Sequence, residues 1–437
     1  MSTVSFSGLA SGLDTSSLIT SLVNVAKLPE QQLQSQQADL ASKTSIVNSL
    51  SSNLGALGDL VGGMSLDTDV QFRTASTSDS HVQVTVSGSA NAASHDVRVD
   101  QLARAQVTTS KTFTTDAAGV LGDGSVTIQT GTGTPATVSW DSTDTLEDVA
   151  QKINSANAGV AASVLFDGSQ YRIVTSANAT GTSNAPTFTD SGDGLDLSNT
   201  ANVKVSAQNA VMEVDGVTVT RPTNTFDDVL PGVTMTAVSP NSTDPDTQVG
   251  ISVDNSAITD KLNSFVSAYN TVVGALHQQL DYSGSTAGTE TLFGDSTLMQ
   301  LEGALDTITT GQLGNGQSLA SLGLQIDKTG QMSLDTDTLD SALASDPNAL
   351  STIFVGQNVS KTFTDLINGY TEAGDGILSQ QVQGYSDEET SLQQQIDTID
   401  SNATTLQTQL QDEFNNLETV MSKLNSQSSY VSKILAA

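Results

Sequence analysis

The sequence predicts a multidomain α + β protein. An antiparallel coiled-coil-like helical stalk is expected from both termini, with a helical domain and inserted antiparallel β domains between them. Three observations carry that expectation. Apolar residues recur at heptad spacing near each end of the chain. Between the ends the period switches to two, punctuated by Asp-Gly turns. The 437 residues also exceed one domain, giving two to four at roughly 150 residues each.

The first element begins in "FSGLASGLDTSSLITSLV", Phe6 to Val23. No Lys or Arg precedes Lys27, and Ser and Thr interrupt the apolar run. A cleaved secretory signal needs a basic start and an unbroken apolar core, so this stretch is neither that nor a membrane span. Asp14 is a good N-cap for a helix from Thr15 or Ser16. One seam then repeats every seven residues: Ile19, Ala26, Leu33, Leu40, Val47, Leu54 and Val61. Its companion positions are Leu22, Pro29, Gln36, Lys43, Leu50, Leu57 and Met64, polar or broken from Pro29 to Lys43. Pro29 is expected to stop or kink the helix near Leu28. Ile19, Leu22, Leu33, Leu40 and Val47 are the candidate assembly-interface residues, because an apolar seam of this length needs a partner.

The middle alternates. "HVQVTVSG" sets Val82, Val84 and Val86 on one face, while "VLFDGSQYRIV" and "MEVDGVTV" place Asp167-Gly168 and Asp215-Gly216 between apolar runs. These are hairpin signals. "TLEDVAQKINSAN" (Thr145–Asn157) reads as one short helix among strands, and Trp140 as a strand core residue. Ala177–Asn202 and Ser239–Thr247 read as loops or junctions. After Ser256 a helical stripe returns with Ile258, Leu262, Phe265, Val266, Tyr269, Val272 and Leu276. "LGLQIDKTGQMSLD" is a hairpin-like insert.

From Ser379 onward there is no Pro, and Gly384 is the only Gly. A helix of about 50 residues, roughly 75 Å long, is expected there. Leu392, Ile396, Ile399, Ala403, Leu406 and Leu410 step by four and three. Phe414, Leu417, Met421 and Leu424 continue after a stutter. Nesting then predicts the domains: 1–42 with 385–437 as the terminal coiled-coil or leg domain, and 43–76 with 254–384 as a helical domain. Segments 77–107 with 203–253 form a first β domain, and 108–202 a second, outer one.

Chemistry is sparse. The net charge of −33, from 15 basic and 48 acidic residues, argues against nucleic acid and anionic membranes. The chain has no cysteine, which removes disulfides and thiolate sites. His81, His95 and His277 lie in different elements, and no nucleophile elbow, phosphate loop or dinucleotide fingerprint occurs. Asp190, Asp193 and Asp196 lack the spacing and terminal Glu of a calcium loop, so they read as a solvated acidic turn. The expectation is no enzyme, no catalytic residue, no metal and no cofactor.

At this point the residues resemble one family. "SGLASGLDTSSLITSLV" with "LPEQQLQSQQADL" is similar to the start of bacterial flagellar filament cap proteins, the hook-associated protein 2 family. "SFVSAYNTVV", "TLFGDSTLMQL" and "SLGLQIDKTGQMSLDTDTLDSAL" resemble its later helical part, and "EFNNLETVMSKLNSQSSYVSKIL" its C-terminal signature. "DTLEDVAQKINSANAGVAASV" (Asp144–Val164) is similar to the IN motif shared among flagellar hook and filament proteins. The resemblance implies a ring-like homo-oligomer at the filament tip that helps flagellin fold into place and stops its leakage. It implies export without a cleaved signal by the flagellar type III apparatus, and an extracellular site on the flagellum. It also implies an export chaperone on the last helix, making Leu406, Leu410, Phe414, Leu417, Met421 and Leu424 a chaperone- and filament-binding stripe. A host glycan or mucin stays open as a partner of the β domains. The alternatives are another hook–filament junction protein, or a secreted adhesin with a helical stalk.

Overall fold

In the computed structural model, residues 12–280, 292–312, 317–356 and 358–435 are described. The small-residue lead-in before Gly12 lies outside them. The chain divides into two compact units, one from residues 1–65, 260–342 and 352–437, the other from 66–259 and 343–351.

The chain opens with α1 (Thr15–Ala26), which Asp14 caps by accepting from Ser17 N at 3.1 Å. A one-residue turn at Lys27 leads to α2 (Leu28–Gly62), whose first turn holds Pro29. Proline lacks the N–H that a first helical turn leaves unpaired, so it starts α2 rather than kinking a longer helix. A short α3 (Asp67–Val70) precedes the strands.

The β unit has two cores. Around the first lie β1 (Arg73–Thr77), β2 (Val82–Val86) and β3 (Ala93–Gln101). The second takes β4 (Val107–Thr109), β5 (Gly124–Thr130), β6 (Ala136–Trp140), α4 (Leu146–Ser155), β7 (Val160–Phe166), β8 (Tyr171–Ala177), β9 (Pro186–Gly192) and β10 (Val203–Val205). The chain then returns to the first core with β11 (Ala210–Val214), β12 (Val217–Arg221), β13 (Thr225–Leu230), β14 (Val233–Ala237) and β15 (Thr247–Val253). All described pairings are antiparallel, in orders β1-β15-β3-β11-β12 and β13-β14-β2 for the first core. The second has β10-β4-β8-β7 and β6-β5-β9. Val97, Val99, Met212, Phe226 and Met235 fill the first core. Val126, Ile128, Trp140, Leu146, Ile153 and Ile173 fill the second.

Asp215-Gly216 forms a two-residue hairpin loop between Val214 and Val217, with φ +49° and +82°. That pair of positive angles matches the right-handed twist of the flanking strands, which is why Asp-Gly marks such turns. At Asp167-Gly168 the loop is longer, Phe166 pairing with Tyr171. One expectation is corrected: Ala177–Asn202 is not only loop. It contains β9, paired with β5 along its whole length. Its Thr and Ser residues face solvent while Pro186, Phe188 and the half-buried Asp190 share the inner face, so the apolar alternation is carried only by Pro186 and Phe188.

The helical unit continues through α5 (Asn255–Leu280), α6 (Ser296–Thr310), the hairpin β16 (Leu324–Ile326) and β17 (Met332–Leu334), α7 (Thr336–Ser345), α8 (Ala349–Phe354), α9 (Val359–Thr371) and α10 (Ile377–Leu435). Phe265 sits edge-on to both Phe354 and Phe363, each centroid 5.6 Å away. Val47, Leu50, Leu54, Leu57 and Val61 of α2 are all buried. The heptad seam therefore continues as a core stripe once neighbouring helices cover it.

Candidate functional site

The stalk is assembled from α1, α2 and α10, which run antiparallel. Lys27 donates to Asp400 at 2.5 Å, and Gln37 to Gln393 at 3.1 Å. Thr15 and Ile19 share a small recess with Gln407, Gln411 and Phe414. Rising numbers on one strand of the stalk thus meet falling numbers on the other. Polar middle positions are used: Gln36 lies opposite Ser391–Ile399, and Lys43 pairs with Asp39 at 2.7 Å on its own helix.

Burial separates the candidate interface residues. Ile19, Leu40 and Val47 are buried inside the unit, and Leu33 is half-buried. Ile19, Leu40 and Val47 thus pack within the unit, while Leu33 keeps part of its surface open. Leu22 is 47 % exposed, on a face shared with Leu18 and Val25. Leu28, which opens α2, is exposed as well. Spacings of four and three put Leu18, Leu22 and Val25 on one stripe. The sequence reading missed Leu18 and Val25 because it followed the longer seam and its companions, which bypass them.

The second candidate stripe divides similarly. Leu406, Leu410, Phe414 and Met421 are half-buried, while Leu417 and Leu424 are 45 % and 53 % exposed. Val420, Tyr430, Val431 and Leu435 are open as well. The last large residues of α10 to be buried are Leu392 and Ile396, followed by Ala403. Residues 416–435 run past the level of Thr15, a length of about 30 Å at 1.5 Å per residue. Exposed apolar side chains thus recur along the last turns of an otherwise polar helix.

His81 meets the Ser239 hydroxyl at 2.8 Å, His95 meets Asp215 at 2.7 Å, and His277 meets Glu302 at 3.0 Å, at three separate places. His277 and Glu302 line a cleft of about 850 Å³ with Val273, Met299, Phe293 and Lys328. The acidic turn is occupied by its own loop. Asp193 accepts from Lys111 Nζ at 2.8 Å and Gly122 N at 3.0 Å, and these donors hold its carboxyl below the usual range. Asp190 accepts from Ser198 N, and Asp196 from Asn199 and Asn202. Among the described residues no group of three or more His, Asp or Glu side chains is placed to hold a metal. No described helix is long and apolar enough to cross a membrane.

The fold is a mixed α + β one, with two β cores inserted in sequence between the segments of a helical unit whose terminal helices keep apolar side chains exposed. Sequence comparison names the family. Residues 207–426 match the flagellar hook-associated protein 2 C-terminus, 11–106 its N-terminus, and 125–179 the flagellin hook IN motif. The chain belongs to the flagellar hook-associated protein 2 family, the flagellar filament cap proteins. It is 28 % identical to flagellar hook-associated protein 2 of Escherichia coli K12, over 90 % of this chain and 95 % of that one. It is 26 % identical to the A-type protein of Pseudomonas aeruginosa, over 87 % and 86 %. The crystal structure of the flagellar cap protein FliD D1-D2-D3 domains from Escherichia coli superposes with a TM-score of 0.66 at 27 % identity. That match covers 78 % of this chain and 99 % of the other.

Proposed function

We propose that this cap protein works as a ring-like homo-oligomer at the distal end of the filament, where its terminal helices contact flagellin. The observation that carries the reading is the pair of open apolar faces, Leu18, Leu22 and Val25 on α1 and Leu417, Val420, Leu424 and Val431 on α10. Both lie at the free end of one antiparallel stalk. Burying a Leu or Val side chain contributes about 1.5–3 kcal/mol, so a stripe this long favours partners strongly. The domain division into leg, helical, inner β and outer β parts, 1–42 with 385–437, 43–76 with 254–384, 77–107 with 203–253, and 108–202, belongs to this proposal.

Before export the α10 stripe is covered by the flagellar chaperone, which shields it from aggregation, and the chain leaves through the type III apparatus without a cleaved signal. One stripe cannot be buried twice at once, so chaperone release precedes docking. The protein performs no catalysis. Deleting its gene tests the reading. A non-motile strain that sheds monomeric flagellin into the medium is expected. A motile strain with flagellin confined to filaments would contradict it.

A further inference from the structure

In the outer β core a helix faces an unpaired sheet edge. β6 ends the order β6-β5-β9, and among the described residues no strand lies beyond it. Backbone direction along β5 shows which β6 groups are free. Thr130 O accepts from Gly133 N in the β5–β6 turn, and Asp123 O accepts from Asp193 N on the β9 side. Even-numbered residues of β5 therefore turn toward β6 and odd-numbered ones toward β9. Gly124 and Val126 then bond Trp140 and Val138. That leaves the N–H and C=O of Thr137 and Ser139 pointing away from the sheet, and both residues are exposed.

Thr137 and Ser139 line a cleft of about 520 Å³ with Asp148, Gln151, Lys152 and Ser155 of α4. Spacings of three and four put those four positions on one helix face, while Val149 and Ile153 are buried on the other. The helix is tied down behind the cleft. Asn154 accepts from Ala162 N on β7 at 2.7 Å and donates to Ala162 O at 2.8 Å. Asn270 grips Met332, and Asn224 grips Ala103, in the same two-bonded way. A carboxamide has an acceptor and a donor side by side, so such a clip imitates one residue of a paired strand.

Both ends of the open edge are closed. Pro135, just before β6, has no N–H to offer, and Asp141 N already donates to Asp144 Oδ2 at 3.0 Å. An added strand is therefore held to Thr137 and Ser139, which bars open-ended sheet growth. Charge then selects the occupant. No Lys or Arg lies between Lys111 and Lys152, whereas Asp141, Asp144, Glu147 and Asp148 crowd the turn after β6 and the first turn of α4. Lys152 answers one of them, Asp144, at 2.6 Å. Asp144 and Asp148 both engage their neighbours through Oδ2, which leaves Oδ1 of each for a donor. A second copy of a chain with net charge −33 would bring carboxylates to carboxylates, while a cationic segment is attracted.

We propose that the cleft between β6 and α4 takes an extended cationic peptide segment of a partner protein, which adds beside β6 as a strand and sets Lys or Arg side chains against Asp144 and Asp148. Strand addition supplies the affinity through the backbone of Thr137 and Ser139, and the facing helix supplies the selection through its side chains. The lining is hydroxyl, amide and charged, so the segment is polar between its cations and carries no large apolar anchor. This site is independent of the filament-cap reading, and either can fail without the other.

Fluorescence anisotropy with the purified full-length protein tests the site. The probe is a labelled short peptide alternating lysine and threonine, a residue that favours strands. It should bind, and the amides of residues 136–141 should exchange more slowly in its presence. Replacing its lysines by glutamate should weaken binding about ten-fold or more. N-methylation of its backbone should do the same, because that keeps the charge and removes the donors of a strand. In the protein, Ser139→Pro deletes an outward N–H and Gln151→Lys sets a like charge in the cleft. Each should weaken binding by a similar factor, with Trp140 emission verifying the outer β core. If Ser139→Pro fails to fold, the methylated peptide makes the same comparison on the unaltered protein. Equal binding of the plain and methylated peptides would overturn the proposal, since general attraction to an acidic protein survives methylation. So would equal binding of the glutamate peptide, or no binding at millimolar concentration.

Discussion

Asn154 shows how one side chain links sequence to architecture. It follows Ile153, whose side chain is fully buried in the outer β core, so burial of one residue aims the next at Ala162. The helix is fixed in place by its own start: Thr145 accepts from Asp148 N at 3.1 Å, and Asp148 accepts from Thr145 N at 2.9 Å. Such a capping box satisfies two otherwise unpaired donors. Asn154→Asp should cost about 1–3 kcal/mol, the price of leaving a buried carbonyl without its donor. Urea unfolding followed by emission of Trp140, the sole tryptophan and 4 % exposed, measures it. An unchanged midpoint would show that the clip is incidental. Carboxylates set the acid response at the same scale. Hydrogen bonds from Gln170 N and from the Ser169 hydroxyl and N–H, with the Arg172 guanidinium, hold the Asp167 carboxyl far below its usual range. Thr145 and Lys152 lower Asp148. A folded-state value below the unfolded one contributes stability that is present above about pH 4 and lost as pH falls through the folded value. Acid titration of Trp140 emission should therefore show loss of the outer β core only below about pH 4, and Asp167→Asn should flatten that slope. A wild-type transition centred above pH 5 would contradict this origin.

At the scale of elements, the helices were legible and the strand order was not. Heptad steps, the Asp14 cap and Pro29 mark α1 and α2 because those signals are local, and the long Pro-free run after Ser379 marks α10. Asp215-Gly216 marks its hairpin for the same reason. The missed strand β9 depends on pairing with β5, more than fifty residues earlier in the chain, and its own composition is that of a turn. The Asn clips were equally hidden, since asparagine in sequence signals a turn or cap and gives no sign of a distant backbone partner. Burial then refines the seams: α2 is held along five consecutive seam positions from Val47 to Val61, whereas α1 buries only Thr15 and Ile19. Limited proteolysis should trim α1 and the end of α10 first, halting near Leu40 and between Leu392 and Ala403. Early cleavage inside the β unit would refute that gradient. Leu54→Ala, at a fully buried α2 position, should cost about 2–5 kcal/mol of helical-unit stability, read by circular dichroism at the helix band.

For the whole molecule, the main asymmetry is between buried cores and exposed helix ends. Both β cores and the helical core close on themselves, while the stalk's far end exposes Leu18, Leu22, Val25, Leu417, Val420 and Leu424. A chain that is 14 % charged, has no cysteine and carries −33 net charge stays dispersed through self-repulsion. The family and the candidate stripes were readable because they rest on motifs and periodicity at both termini. Which stripe residues face outward was not, because that depends on how far one antiparallel helix overlaps the other. The most direct measurement is flagellin release from a strain carrying Leu417→Ser, Val420→Ser and Leu424→Ser in place of the wild-type gene. All three positions are exposed, so the purified variant should keep wild-type Trp140 emission and helix content. With export of the variant verified in the culture medium, the account predicts lost motility and monomeric flagellin shed beside it. Filaments of normal length with no flagellin released would contradict it.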